Sequence, residues 1–414
     1  MKDSYYAQNI IKQTNFKPSI TLIICLVLIG LSGTIQFSYI WFSQSIVAFL
    51  ILSIIFLVLI KNKTFNKVNV LICITLLLIV LINLMVYSKN INGHLGLVMK
   101  IISCFIVAQI IDFEKLKKYY INIIFIIAII SLICFSIFVF NPSIVFQFIK
   151  PITYWDHTTR YMLVFNFPLD NYTIRNFGPF HEGGMFAVFL NLAILWIFEK
   201  ESLSSKMSRL KILVFIAAII TTVSTSGIIA CGLIVIIKSR RIILQNLNFK
   251  TVSLLLIVLL TLVIAENKMG IISNKFSADN ASYTARSSEI PLFYETISTD
   301  PILGIGFQNN SYLNGTGITD ATNGILSVLS QFGLLGGGTI LLIYCYSIRK
   351  MSVGNVDYML KLFVVFLFFA SEPTIFTCMF LILIFAGIKE GQERANSFYS
   401  MDNHLESNLR LNIS

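Results

Sequence analysis

Charged residues make up only 12% of this 414-residue chain, so the places where they gather are the first places to look for chemistry. One stretch, Arg175-Asn176-Phe177-Gly178-Pro179-Phe180-His181-Glu182-Gly183-Gly184, sets an arginine, a histidine and a glutamate just ahead of an apolar run. The Arg175 guanidinium offers a planar fork of donors that matches phosphate oxygens. Glu182 could take a proton from a hydroxyl as a general base. At a helix start it could equally be a cap that stabilises the dipole. His181 could share either role or hydrogen-bond a leaving group. A helix opening at Gly183-Gly184 would aim its first amides at the same place, and helix N-termini attract anions.

Further candidates lie elsewhere along the chain. Arg286 is a second arginine near the end of a long polar segment, and Arg160 lies in the segment before Arg175. Tyr154, Trp155, Tyr161 and Tyr172 are platforms on which sugar rings could stack. Lys100 stands about nine residues from either end of an apolar run; an ionisable group at such a depth is costly and is functional or paired. It could support an anionic lipid electrostatically, or pair with a polar group such as Gln109 or Asn83. His157 reads as a loop residue, and His94 and His404 suggest no role. The seven cysteines all fall inside apolar runs without a CxxC pair, and no acidic or histidine cluster has ligand spacing. Neither a disulfide framework, a metal site nor a cofactor is suggested.

The elements that must position these groups are membrane spans. The chain is 56% hydrophobic with mean hydropathy +0.81, and apolar runs of about 18 or more residues recur along it. The runs are continuous, not alternating, which predicts a polytopic all-α bundle and excludes a barrel. The first run, from Pro18, reads as a span and not as a removed leader. Spans are expected near 19–37, 40–60, 67–88, 92–111, 119–140, 184–199, 209–223, 227–238, 250–266, 323–346, 359–371 and 374–388. With the N-terminus inside, the inner segments hold 23 of the 31 Lys and Arg residues, the outer ones seven, and Lys100 is the remaining one. This asymmetry predicts twelve crossings with both ends cytoplasmic, and it explains the net charge of +11 without nucleic acid. Residues 211–238 are short for two crossings, so two helices should meet at Ser224-Thr225-Ser226-Gly227 beside a wet cavity. Pro373 should break 359–388 at Ser371-Glu372-Pro373-Thr374 in the same way. Two large outer loops, 141–183 and 267–322, should be ordered, and 389–414 reads as an unstructured cytoplasmic tail. The whole is one integral membrane domain.

Four elements in order carry a resemblance. They are Arg175–Gly184; Ser224-Thr225-Ser226-Gly227; Asp300-Pro301-Ile302-Leu303-Gly304-Ile305-Gly306-Phe307; and Thr322-Asn323-Gly324 through Gln331-Phe332-Gly333-Leu334-Leu335-Gly336. In order and placement they resemble the O-antigen polymerase and ligase superfamily, the Wzy-like membrane glycosyltransferases. The resemblance implies a GT-C-like bundle and inverting, metal-independent glycosyl transfer at the outer face of the bacterial cytoplasmic membrane. A glycan would leave undecaprenyl pyrophosphate and join an acceptor hydroxyl. It implies that Arg175 and Arg286 bind the pyrophosphate, with Arg160, Lys100, Asn323, Tyr154 and Trp155 as further binding candidates, and that Glu182 is the base. Where the family often has a histidine before the late-helix asparagine, this chain has Thr322. That leaves Asp320 and His181 as alternative proton acceptors. No tryptophan follows Arg286 as it usually does in the family.

The modest second loop and the missing histidine favour a repeat-unit polymerase for O-antigen, capsule or another exopolysaccharide. The alternatives are a ligase transferring glycan to lipid A-core, and a lipid-linked oligosaccharide flippase or other transporter. A chain-length regulator and a flippase are the protein partners that such a polymerase would work with.

Overall fold

The computed structural model describes residues 18–59, 65–87, 90–149, 151–154, 157–162, 165–168, 175–200, 205–245, 281–309 and 322–411. The described chain is mostly helical. Its helices are α1 (Pro18–Gly30), a π-helical turn (Ile35–Ile40), α2 (Phe42–Leu59), α3 (Lys67–Tyr87), α4 (Ile91–Ile110), α5 (Phe113–Phe140) and α6 (Pro142–Phe148). After a small sheet come α7 (Gly183–Lys200), α8 (Lys206–Thr222), α9 (Thr225–Gln245), α10 (Ala281–Thr299), α11 (Gly324–Met351), α12 (Asn355–Ser371) and α13 (Cys378–Leu411). Among the described residues α3, α4, α5 and α11 are long and apolar enough to cross a membrane, and α1, α2, α7 and α9 contain shorter apolar helices. The expected span at 250–266 lies outside the described residues.

The sheet is β1 (Pro151–Tyr154), β2 (His157–Met162) and β3 (Phe165–Pro168), antiparallel in that order, with Tyr154 opposite His157 and Met162 opposite Phe165. An all-α expectation has no place for it. Its last strand is anchored by Phe165 and Phe167, both buried, and Phe167 packs on Phe138 of α5.

One end of the bundle is tied by ion pairs. Lys117 of α5 reaches Glu114 at 3.0 Å, Glu199 of α7 at 3.4 Å and Glu390 of α13 at 3.2 Å. Lys361 of α12 reaches the same Glu199 at 2.6 Å and Asp357 at 2.8 Å, and Asp357 also pairs with Lys238 of α9. Lys389 of α13 donates to the carbonyls of Ala108, Gln109 and Ile111 at 3.1–3.3 Å, neutralising the negative end of α4. These pairs draw the charged start of the supposed tail into the bundle, and α13 continues as helix to Leu411.

At the opposite end three chain breaks meet. The first, 31–34, separates α1 from the π-helical turn. Hydroxyls satisfy the carbonyls it frees: Thr34 Oγ1 donates to Gly30 O at 2.8 Å and Ser32 Oγ to Leu28 O at 2.6 Å. The second lies between α8 and α9, where Val223 is left-handed (φ 55) and the Ser224 hydroxyl accepts from the Gly227 amide. The third, Glu372–Thr377, separates α12 from α13 at Pro373. At ~1.5 Å per residue α1, α8 and α12 are about 20–26 Å long. That is short of the ~30 Å of a hydrocarbon core, which α3 and α4 with 21 and 20 residues reach.

Candidate functional site

All three breaks converge on the first turns of α7. Thr34 bridges Phe180, and the Ile35 amide donates to Pro179 O at 3.2 Å. The Ser32 hydroxyl accepts from Met379 N of α13 at 2.8 Å. From the second break, Asn191 of α7 donates to Gly227 O at 2.9 Å. From the third, the buried Glu372 carboxylate lies against Gly184, where any side chain would collide with it. A carboxylate at a helix start is stabilised by the amides and dipole there.

The Arg175–Gly184 stretch is therefore not a loose loop. Asn176, fully buried, pins it: its side chain donates to Thr221 Oγ1 (2.9 Å) and Ser131 Oγ (3.3 Å), and its backbone amide donates to Thr221 O at 2.9 Å. Its Oδ1 accepts from the Gly178 amide at 3.0 Å. Asn166 of β3 adds two bonds, from its amide to Gly178 O (2.7 Å) and from its side chain to Phe180 O (3.3 Å). Arg175 is half-buried beside this anchor. His181 is half-buried, with Nδ1 3.4 Å from Gly33 O. Glu182 is exposed at the N-cap position of α7: its backbone carbonyl accepts from Phe186 N at 3.2 Å, and its side chain makes no hydrogen bond among the described residues.

The late elements join through backbone. The Pro301–Gly306 turn docks into a break inside α11, where Gly333 is non-helical (φ 67, ψ −178). Ile305 N donates to Ser330 O at 2.9 Å, Gly306 N to Gln331 O at 3.1 Å and Leu334 N to Pro301 O at 2.8 Å. Gly304 (φ 74) and Gly333 lie backbone against backbone, so a Cβ on either would overlap the other segment. The glycines of these two elements thus serve close approach and positive φ. Asn83 of α3 locks the junction: Nδ2 donates to Gln331 O (2.9 Å) and Oδ1 accepts from Phe307 N (2.8 Å). Those two bonds set the amide orientation, so His94 Nε2, 3.0 Å from the same Oδ1, is its donor.

The start of α11 is held by a residue that the sequence did not single out. Glu289 of α10, buried, accepts from Thr322 N (2.5 Å) and Asn323 N (3.1 Å), while Asn323 Oδ1 caps Ile325 N and Leu326 N. Asn323 is thus committed to its helix through that oxygen. The backbone of Gly324 packs against the carbonyls of Phe369 and Glu372, which brings the third break to the start of α11 as well as to α7.

Of the candidates, Arg175, His181 and Glu182 stand together at the start of α7, and Asn323 is one break away. Lys100 is on α4, over the ring of Phe42 at the start of α2. Arg286 lies on α10 one turn before Glu289, and Arg160 is on β2 opposite Pro151 and Phe167, with Tyr154 on β1. Trp155 and Asp320 lie outside the described residues. Glu372, Glu289 and Asn176 were missed, and Asn83 was named only as a possible partner of Lys100. Only Glu372 carried a signal, a carboxylate within an apolar segment. No protein-family model matches the chain, and no curated protein matches it.

Proposed function

We propose that the chain is a membrane glycosyltransferase that joins lipid-linked oligosaccharide repeat units into a surface polysaccharide. It works at the outer face of a bacterial cytoplasmic membrane, with twelve crossings and both termini cytoplasmic. The observation that carries the reading is the anchored Arg175–Gly184 stretch, with a carboxylate that makes no hydrogen bond among the described residues, at the meeting point of three helix breaks. Irregular backbone at membrane depth is tolerated only inside protein or beside a wet cavity. Support for the topology comes from Lys117, Lys238, Asp357 and Glu390: they belong to segments read as cytoplasmic and are tied together at the other end through Lys361 and through Glu199, the last residue of the expected span 184–199.

In this reading the donor glycan enters on undecaprenyl pyrophosphate. Arg175 and Arg286 neutralise the pyrophosphate as it leaves. An acceptor hydroxyl attacks the anomeric carbon from the opposite face. A new C–O bond forms, the bond to the pyrophosphate oxygen breaks with its electron pair, and the hydroxyl proton passes to Glu182. The product has inverted configuration, and no metal or cofactor is invoked.

Gene deletion followed by gel analysis of the surface glycan tests this. Single repeat units should remain. Absence of glycan from the core with long chains still on the carrier indicates a ligase, and cytoplasmic accumulation of units indicates a flippase. Arg175→Ala should give the single-unit pattern in a protein that still inserts. Glu182→Gln should reduce polymerisation about 100-fold or more, the scale of a lost general base; near-normal chains would remove Glu182 from the mechanism.

A further inference from the structure

At the ion-pair end Lys117, Lys238 and Lys361 are answered by carboxylates and Lys389 by carbonyls. Lys100 is not. It is half-buried; its ammonium stands 4.8 Å from the centre of the Phe42 ring with the thiols of Cys104 and Cys378 as its electrostatic neighbours, and it makes no hydrogen bond or ion pair among the described residues. It lies nine residues into α4 from Ile91, about 13 Å along the axis at ~1.5 Å per residue. An aromatic face alone does not replace the hydration of an ammonium at that depth; an anion does.

The surroundings indicate where the anion comes from. Gly96, one turn before Lys100 on the same face of α4, leaves the Phe42 ring as the nearest wall. Helix α2 begins only at Phe42, so beyond it this flank is covered by the π-helical turn and Trp41. Trp41 and Leu95, beside the opening, are both 46% exposed, and the α2 residues Val47, Ile51 and Ile55 form an exposed apolar face below. This is a cation at the head of an apolar track. Arg175 is on the other flank, beside α5 and α8 through Asn176, with α1, α7 and α13 between.

We propose that Lys100 is a second anion site, which takes the phosphate of a membrane lipid arriving laterally at the α2–α4 flank. Resting on the glycosyl-transfer reading, this lipid is the carrier of the acceptor glycan. The donor pyrophosphate is bonded to the reacting carbon and belongs at Arg175. The acceptor pyrophosphate lies at the far end of its glycan from the attacking hydroxyl and needs a separate cation.

The test is thermal unfolding of the purified full chain in neutral detergent, titrated with undecaprenyl phosphate, phosphatidylglycerol or inorganic phosphate. Undecaprenyl phosphate should raise the unfolding temperature of the wild type and of Lys100→Arg. In Lys100→Met the half-saturating concentration should rise about tenfold or more. Arg175→Ala should keep the part of the shift that depends on Lys100. Lys100→Gln replaces Lys100→Met if the latter does not fold. Equal titrations in wild type and the uncharged variant overturn the proposal, as does a Lys100-dependent shift with inorganic phosphate alone. An equal Lys100-dependent shift with phosphatidylglycerol supports a lipid-phosphate site and overturns its assignment to the acceptor carrier. The readout needs no turnover, so unchanged surface glycan on gene deletion would end the glycosyl-transfer reading and leave the lipid site standing.

Discussion

Asn176 bears most directly on whether Arg175 is in place to work. It ties the charged stretch to α5 and α8 through Ser131 and Thr221 while its own amide and oxygen close the turn around Gly178. Asn176→Ala should cost about 1–3 kcal/mol, because buried partners are left without their bonds. The measurement is thermal unfolding in detergent, and activity should fall with it even though Arg175 is untouched. The charged residues of this stretch were visible in the sequence because charge is rare in an apolar chain. Asn176 was not visible, since an asparagine before a glycine reads as a turn residue whether or not it is buried. Glu372 was hidden differently: next to Pro373 it reads as part of a polar tip, and its contact with Gly184 joins positions remote in sequence.

At the scale of elements, the Pro301–Gly306 turn and the break at Gly333 form one unit. Gly304→Ala and Gly333→Ala each force a left-handed φ on a residue with a side chain and drive a methyl into the facing backbone. Each should destabilise by about 2 kcal/mol or more. Hydrogen exchange should rise across Gln331–Leu335 in both, while the ion-pair end stays protected; exchange unchanged at this junction would contradict the docking. The glycine spacing of both segments was legible, and so were the breaks at Ser224 and Pro373, because polar residues interrupt spans too short to cross twice. What the spacing did not disclose was that the two glycine segments bind each other. The sheet was missed because its strands are only four to six residues long and sit in a polar-aromatic loop. The π-helical turn was missed because its residues continue an apolar run.

For the molecule as a whole, the ion-pair end makes a pH prediction. Burial pushes the Asp357 carboxyl up, but Lys361, Lys238 and the Val353 amide outweigh it and hold it below its usual value of 3.8. A depressed folded pKa contributes stability above the unfolded value, and that contribution disappears as pH falls through the folded one. Unfolding temperature should therefore be flat in this respect from neutral pH to about 4 and drop below it. Asp357→Asn should start lower at neutral pH and show a shallower acid limb; parallel curves for the two proteins would count against the clasp. The helical membrane class could be read from composition alone, because lipid leaves few other solutions. The helical course of α13 past residue 389 could not, since Lys389 and Glu390 look like tail charges until their partners on α4 and α5 are known.

The Asn83 junction also has a consequence for biogenesis. Its partners Phe307 and Gln331 are 224 and 248 residues further along the chain. At ~5–20 residues per second, translation leaves Asn83 waiting roughly 10–50 s for them. During that interval an amide that the finished fold buries and bonds must be sheltered from lipid by water, by the insertion machinery or by temporary neighbours. The last third of the polypeptide thus completes the first, and a nascent chain stalled before residue 300 should be a substrate for membrane quality control, not a stable half-bundle.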